Sequence, residues 1–224
     1  MRSTPKVFIL GLALTASLLA TGCVPLLIGG TVGTAAFVST DRRTTGAQMA
    51  DEVMEKRINY EITQAITQNL HLTVTSYNRR VLLTGEVGSQ ADKIKAQQIA
   101  QNSLEVSSVV NELMVGKVTS VGQRMSDSTL ATKVRTQLVG TSGVSLNQMK
   151  VVVDRGIVYL MGLVTQEEAN KAADVASRVS DVKSVVKVFE ILSPQEIQER
   201  MKLVSNPNQN TNSSENSDGT VTLQ

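Results

Sequence analysis

The chain has 224 residues, with 22 Lys+Arg against 20 Asp+Glu, one histidine and one cysteine. A single His and a single Cys exclude His-based triads, Cys–His nucleophiles and the usual His/Cys zinc sites. A near-neutral charge, three Phe, three Tyr and no Trp exclude the clustered basic face and aromatic interleaving of a nucleic-acid binder. No Asp/Glu pair stands out as acid and base, so no catalytic, metal or cofactor site is assigned, and the chain is not expected to be an enzyme.

In chain order, a basic start (Arg2, Lys6) precedes an apolar run from Val7 to Ala20 and small residues at Thr21-Gly22. That is the layout of a secretory signal peptide, assigned to 1–22. Its removal takes away Arg2 and Lys6 and leaves a formally neutral mature chain. The segment Leu19-Ala20-Thr21-Gly22-Cys23 resembles the lipobox of bacterial lipoproteins, with Ala20 where Leu is usual. The resemblance implies acylation of Cys23 before cleavage. Residues 23–50 then read as a lipidated apolar, Gly-rich tether. Its Val24–Ser39 run is 16 residues, short of the ~20 that span a bilayer.

Beyond residue 50 one unit occurs twice. Val81-Leu82-Leu83-Thr84-Gly85-Glu86-Val87 aligns with Val158-Tyr159-Leu160-Met161-Gly162-Leu163-Val164, and Val74 aligns with Val151. Each copy opens with a helix pattern: Ile58, Ile62, Ala65, Ile66 and Leu70 in the first; Leu130, Val134 and Leu138 in the second. Two β runs follow, 72–77 and 81–87 in copy one, 150–153 and 157–164 in copy two. The turns are Asn78-Arg79-Arg80 and Asp154-Arg155-Gly156. A second helix begins at Ser89-Gln90-Ala91-Asp92 and at Thr165-Gln166-Glu167-Glu168, both of capping-box form. Last strands at 106–115 and 182–192 close the units.

The predicted fold is therefore α+β: two tandem αββαβ domains, each a three-stranded mixed sheet with two helices on one face. Domain 1 is placed at 51–118, a linker at 119–125 and domain 2 at 126–192. A short helix at 193–204 and an Asn/Ser-rich disordered tail at 205–224 follow. Units this small bury little core alone, so packing of the copies on each other, or on a membrane, is expected. Gly85 and Gly162 are read as structural, marking a close backbone approach, with the following helix as the neighbour. His71 is read as a strand-end residue.

The V-x-L-x-G-x-V strand followed by a helix resembles the BON domain. The strings Ala131–Leu138, Val158–Thr165 and Ala172–Ser180, with the lipidated cysteine and apolar tether, are similar to dual-BON outer-membrane lipoproteins. The resemblance implies a lipid-anchored protein on the periplasmic face of the outer membrane. It implies binding of anionic, phosphatidylglycerol-like phospholipid through the second domain, a role in envelope integrity, and a link to the β-barrel assembly machinery. Val24, in place of Asp, fits outer-membrane sorting.

The implied lipid contact lies on the first helix of domain 2, at about Ser128–Val139. Thr132, Lys133, Arg135, Thr136 and Val139 fall away from the core positions and are the candidate phospholipid-binding residues. Relatives carry an aromatic at the position of Thr129, so one interfacial anchor is missing here. The competing reading is a protein–protein adaptor of the envelope that uses its acyl chains only for location. A membrane-perturbing role, suggested by haemolysin-like names among relatives, has no long amphipathic or spanning segment behind it.

Overall fold

The structure, a computed structural model, describes residues 41–205. The expected signal peptide, Cys23, the Val24–Ser39 run and the tail beyond Ser205 lie outside the described residues. The elements are α1 (Thr45–Ala65), β1 (His71–Tyr77), β2 (Arg80–Val87), α2 (Gln90–Asn102), β3 (Ser108–Asn111) and β4 (Met114–Val115), then α3 (Val121–Val139), β5 (Met149–Asp154), β6 (Ile157–Val164), α4 (Gln166–Ser177), β7 (Ser184–Ile191) and α5 (Pro194–Ser205).

Each domain pairs its hairpin antiparallel and adds the last strand parallel, in orders β1-β2-β3 and β5-β6-β7. The expected last strand of domain 1 is broken. Glu112-Leu113 leave the ladder while Leu113 drops into the core, and β4 resumes the pairing with β2. The hairpin turns are tighter than read, because Arg80 and Asp154 belong to the strands. The two-residue turns Asn78-Arg79 and Arg155-Gly156 all have positive φ, 51° and 67°, then 51° and 78°. This is the primed geometry that matches strand twist.

One device holds both turns. Asp51 of α1 accepts from the amides of Asn78 and Arg79 at 2.8 and 2.9 Å. Asp127 of α3 accepts from those of Arg155 and Gly156, both at 2.9 Å. Both acids are buried. They set the helix registers, so Met54, Ile58 and Ile62 occupy in domain 1 the core places of Leu130, Val134 and Leu138 in domain 2.

The caps separate the two second helices. Thr165 and Glu168 of α4 form the full reciprocal box, amide to carboxylate at 2.7 Å and amide to hydroxyl at 3.1 Å. At α2 the carboxylate of Asp92 takes the Ser89 hydroxyl, at 2.7 Å. Asp is one methylene shorter than Glu, so the return bond to the N-cap amide is not among those formed.

Strand alternation decides how the domains meet. Val81, Leu83 and Val87 face the helices of domain 1, and Val158, Leu160 and Val164 those of domain 2. The intervening Leu82, Tyr159, Met161 and Leu163 join Tyr77, Val188 and Leu192 in a third apolar cluster between the sheets. The two sheets are therefore back to back, with helices on the outer faces. This is the packing of copy on copy that the small size of each unit calls for. Polar ties cross the seam: Lys150 Nζ to Glu55 at 2.7 Å, Asn78 Nδ2 to Glu190 at 2.8 Å and Arg155 Nη1 to buried Glu86 at 3.3 Å. His71 sits at its strand end with Nδ1 3.0 Å from Glu86.

The glycines approach a strand, not a helix. A Cβ on Gly85 would lie 2.0 Å from the His71 carbonyl oxygen, and one on Gly162 2.4 Å from that of Gln148. The expected neighbour, the following helix, is thus corrected to the start of the partner strand, and Gly85 also has a φ of +118°.

Candidate membrane-contact site

The region read as a linker, 119–125, is mostly helix. Ser120 caps α3 by accepting from the Gln123 amide at 3.2 Å, and the helix starts at Val121. Ser120-Val121-Gly122-Gln123 has the S-x-x-Q form of a capping box, a signal that could have revealed this start. The longer helix adds residues that the sequence reading missed.

Leu130, Ala131, Val134 and Leu138 bury the inner face. On the outer face, at helical spacing, lie Val121, Met125, Ser128, Thr132, Thr136 and Val139. Val121, Met125 and Val139 are 64, 66 and 69 % exposed. The hydroxyls along the face turn inward. Ser128 donates to the carbonyl of Arg124, Thr129 to that of Met125, Thr132 to that of Ser128 and Thr136 to that of Thr132, at 3.0–3.1 Å. This back-bonding satisfies the oxygens within the helix. What remains outward is methyl surface between three large apolar tips.

Cations flank the stripe. Arg124 and Arg135 lie on one side and Lys133 on the other, while the one acid in the α3 sequence, Asp127, is buried on its turn. Lys133 Nζ meets Asp181 at 3.0 Å, both exposed. Arg135 Nη2 donates to the Val151 carbonyl at 2.7 Å, which lays the guanidinium along β5.

The five candidate residues therefore divide. Thr132, Lys133 and Thr136 share a groove of about 850 Å³ between α3 and α4, also lined by Val175, Arg178 and Val179. Arg135 is outside it; it shares a hollow of about 500 Å³ with Thr132, Arg124 and Ser128, and lines another of about 360 Å³ with Glu55, Thr75 and Lys150. Val139 projects from the helix's last turn. Among the described residues no cluster of His, Cys, Asp and Glu could hold a metal ion, and no helix is long and apolar enough to cross a membrane.

Two copies of one αββαβ unit, fused sheet to sheet, define a tandem-repeat α+β protein. The BON domain model matches residues 50–117 and 126–193, and the chain belongs to the BON-domain family. Within it the chain is a dual-BON, DolP-like protein. It is 40% identical over 185 residues to the outer membrane lipoprotein DolP of Haemophilus influenzae, covering 82% of this chain and 95% of that one. It is 32% identical over 151 residues to the 21 kDa hemolysin of Actinobacillus pleuropneumoniae, covering 66% and 78%. It is 28% identical over 169 residues to the osmotically-inducible protein Y of Escherichia coli, covering 67% and 84%.

Proposed function

We propose that this protein is an outer-membrane lipoprotein, anchored through Cys23, whose second BON domain rests on anionic phospholipid by the outer face of α3. Location and anchor follow the similarity to DolP and the lipobox-like Leu19–Cys23 segment. The observation that carries the lipid contact is the α3 face itself: three exposed apolar tips, inward-bonded hydroxyls, cations on both flanks and its own acid buried. An interfacial helix lets apolar tips enter the headgroup layer while cations meet lipid phosphate. Thr132, Lys133, Arg135, Thr136 and Val139 belong to this contact, and Val121, Met125 and Arg124 extend it. Support of envelope integrity beside the β-barrel assembly machinery is the cellular role that follows.

The test uses mature chain with Cys23→Ser and phosphatidylglycerol vesicles at low salt. Binding that falls about tenfold or more in Val139→Glu plus Arg135→Glu supports the reading. Unchanged sedimentation of that variant places the contact elsewhere.

The adaptor reading has one observation in its favour. The outer face of α1 exposes Met49, Val53 and Tyr60 among both signs of charge, Glu52, Lys56, Arg57 and Glu61. A mixed-charge rim suits a protein surface better than an anionic one. In-cell crosslinks from Tyr60 to one barrel-assembly subunit, without vesicle binding, would favour it.

A further inference from the structure

The stretch read as tether, 23–50, runs into α1, and Asp41-Arg42-Arg43 lie just before the α1 N-cap, Thr44. Both arginines are buried, at 7 and 8 % exposure, and they point into different domains. Arg42 forks the carboxylate of Glu168 in α4, Nη1 to Oε2 and Nη2 to Oε1, both at 2.8 Å. Its Nη1 also donates to the Leu163 carbonyl of β6 at 2.8 Å. Arg43 turns to domain 1. It donates to Asp51 and to Asp41, each at 2.8 Å, and its guanidinium stacks 3.8 Å from the Tyr77 ring centroid. Asp51 is the acid that holds the β1–β2 turn, and Tyr77 belongs to the apolar cluster between the sheets.

We infer that Asp41-Arg42-Arg43 is a clasp through which the segment before α1 locks the second BON domain against the first. Adjacent Cα atoms are about 3.8 Å apart, so one peptide unit joins a grip on each domain. Each domain has its own core, so neither needs the clasp to fill its interior. A buried arginine is tolerated when its charge is paired and hydrogen-bonded, and here the Nη groups of two neighbours are paired on opposite sides of one seam, with Arg42 Nε left without a partner. The domains cannot part without stripping one arginine of its partners.

The test uses mature chain with Cys23→Ser, in solution without lipid, so its outcome is separate from vesicle binding. Spin labels on cysteines replacing exposed Gln64 and Gln137 report the distance between α1 and α3. The parent is expected to give one narrow distribution, and Arg42→Ala a broadened one with longer distances. In Arg42→Ala the Thr165 and Glu168 amides exchange hydrogen roughly tenfold faster or more, while those of Asn78 and Arg79 do not. Arg43→Ala gives the reverse pattern. Arg42→Lys fails to restore the narrow distribution, because an ammonium cannot fork a carboxylate. Glu168→Gln, which keeps the side-chain length of the cap and removes its charge, broadens the distribution in the same direction. Parent-like distances in both Arg42→Ala and Glu168→Gln would overturn the clasp.

Discussion

The helices α1 and α3 do the same work on the inside and different work on the outside. Inward, each sets a buried Asp under a hairpin turn and three apolar residues over a sheet. Outward, α3 shows apolar tips flanked by Arg124, Lys133 and Arg135, while α1 shows Met49, Val53 and Tyr60 flanked by both signs of charge. The inner half of each helix is constrained by packing and hydrogen bonding, which tolerate few alternatives. The outer half carries no such constraint and can diverge toward a lipid surface in one repeat and a protein surface in the other. A duplicated unit thus separates what the fold requires from what a partner requires.

The largest effect comes from the shared inner device. Asp51→Ala strips Asn78, Arg79 and Ser76 of their acceptor, leaves Arg43 with Asp41 alone, and is expected to cost about 3 kcal/mol or more. Asp127→Ala frees the Arg155 and Gly156 amides and the Gln123 amide group, and is expected to cost about 2 kcal/mol. Urea unfolding measures both, and equal losses would deny that Arg43 adds to the domain 1 site. Next come the glycines. Gly85→Ala meets a carbonyl oxygen at 2.0 Å on a positive-φ backbone, and Gly162→Ala meets one at 2.4 Å without that backbone strain. Losses of about 3 and about 2 kcal/mol follow, in that order, read from thermal unfolding.

Acid separates the carboxylates by sign. Burial alone would raise the pKa of Asp51, but the Arg79 amide, Ser76 hydroxyl and Arg43 outweigh it, and the pKa is lowered. Glu168 is lowered likewise, with Arg42 and Thr165 outweighing burial. The stability these two supply is present above their ordinary values, near pH 4, and is lost as pH falls through their lower folded values. Asp154 runs the other way. Burial, with Glu86 and Asp127 nearby, outweighs Arg155 and raises it, so its charge opposes folding at neutral pH and protonation relieves this on acidification. Urea midpoints should therefore drop steeply below about pH 4. Asp154→Asn should raise the midpoint at pH 7 and steepen the acid loss; a variant less stable at pH 7 would contradict the sign. The smallest effect is Lys133→Ala, which breaks an exposed pair with Asp181 and should change stability by under about 0.5 kcal/mol.

The repeat was legible because β runs, turn residues and helix caps are local chemistry, and Val74, Val81, Val151 and Val158 stand at corresponding places. The seam was not legible. Leu82, Tyr159, Met161 and Leu163 look like the second face of any strand until another sheet covers them. Arg42 and Arg43 fell unnoticed inside the stretch read as tether, because their partners Glu168 and Asp51 lie far along the chain or in a helix not yet placed. The outer face of α3 was half legible. Thr132, Lys133, Arg135, Thr136 and Val139 follow from helical phase, whereas Val121 and Met125 were lost with the capping signal at Ser120. That Lys133 is held by Asp181 and Arg135 is laid along β5 by the Val151 carbonyl was not legible, because only the folded chain brings those partners near.

Whether α3 and not α1 is the lipid-facing helix is decided most directly by one pair of variants on phosphatidylglycerol vesicles at low salt. Val121→Glu plus Met125→Glu touches the exposed α3 tips and no core residue; Val53→Glu plus Tyr60→Glu does the same on α1. The expected result is a loss of sedimentation of about tenfold or more for the α3 pair and little change for the α1 pair. Equal losses, or a loss confined to the α1 pair, would contradict the assignment.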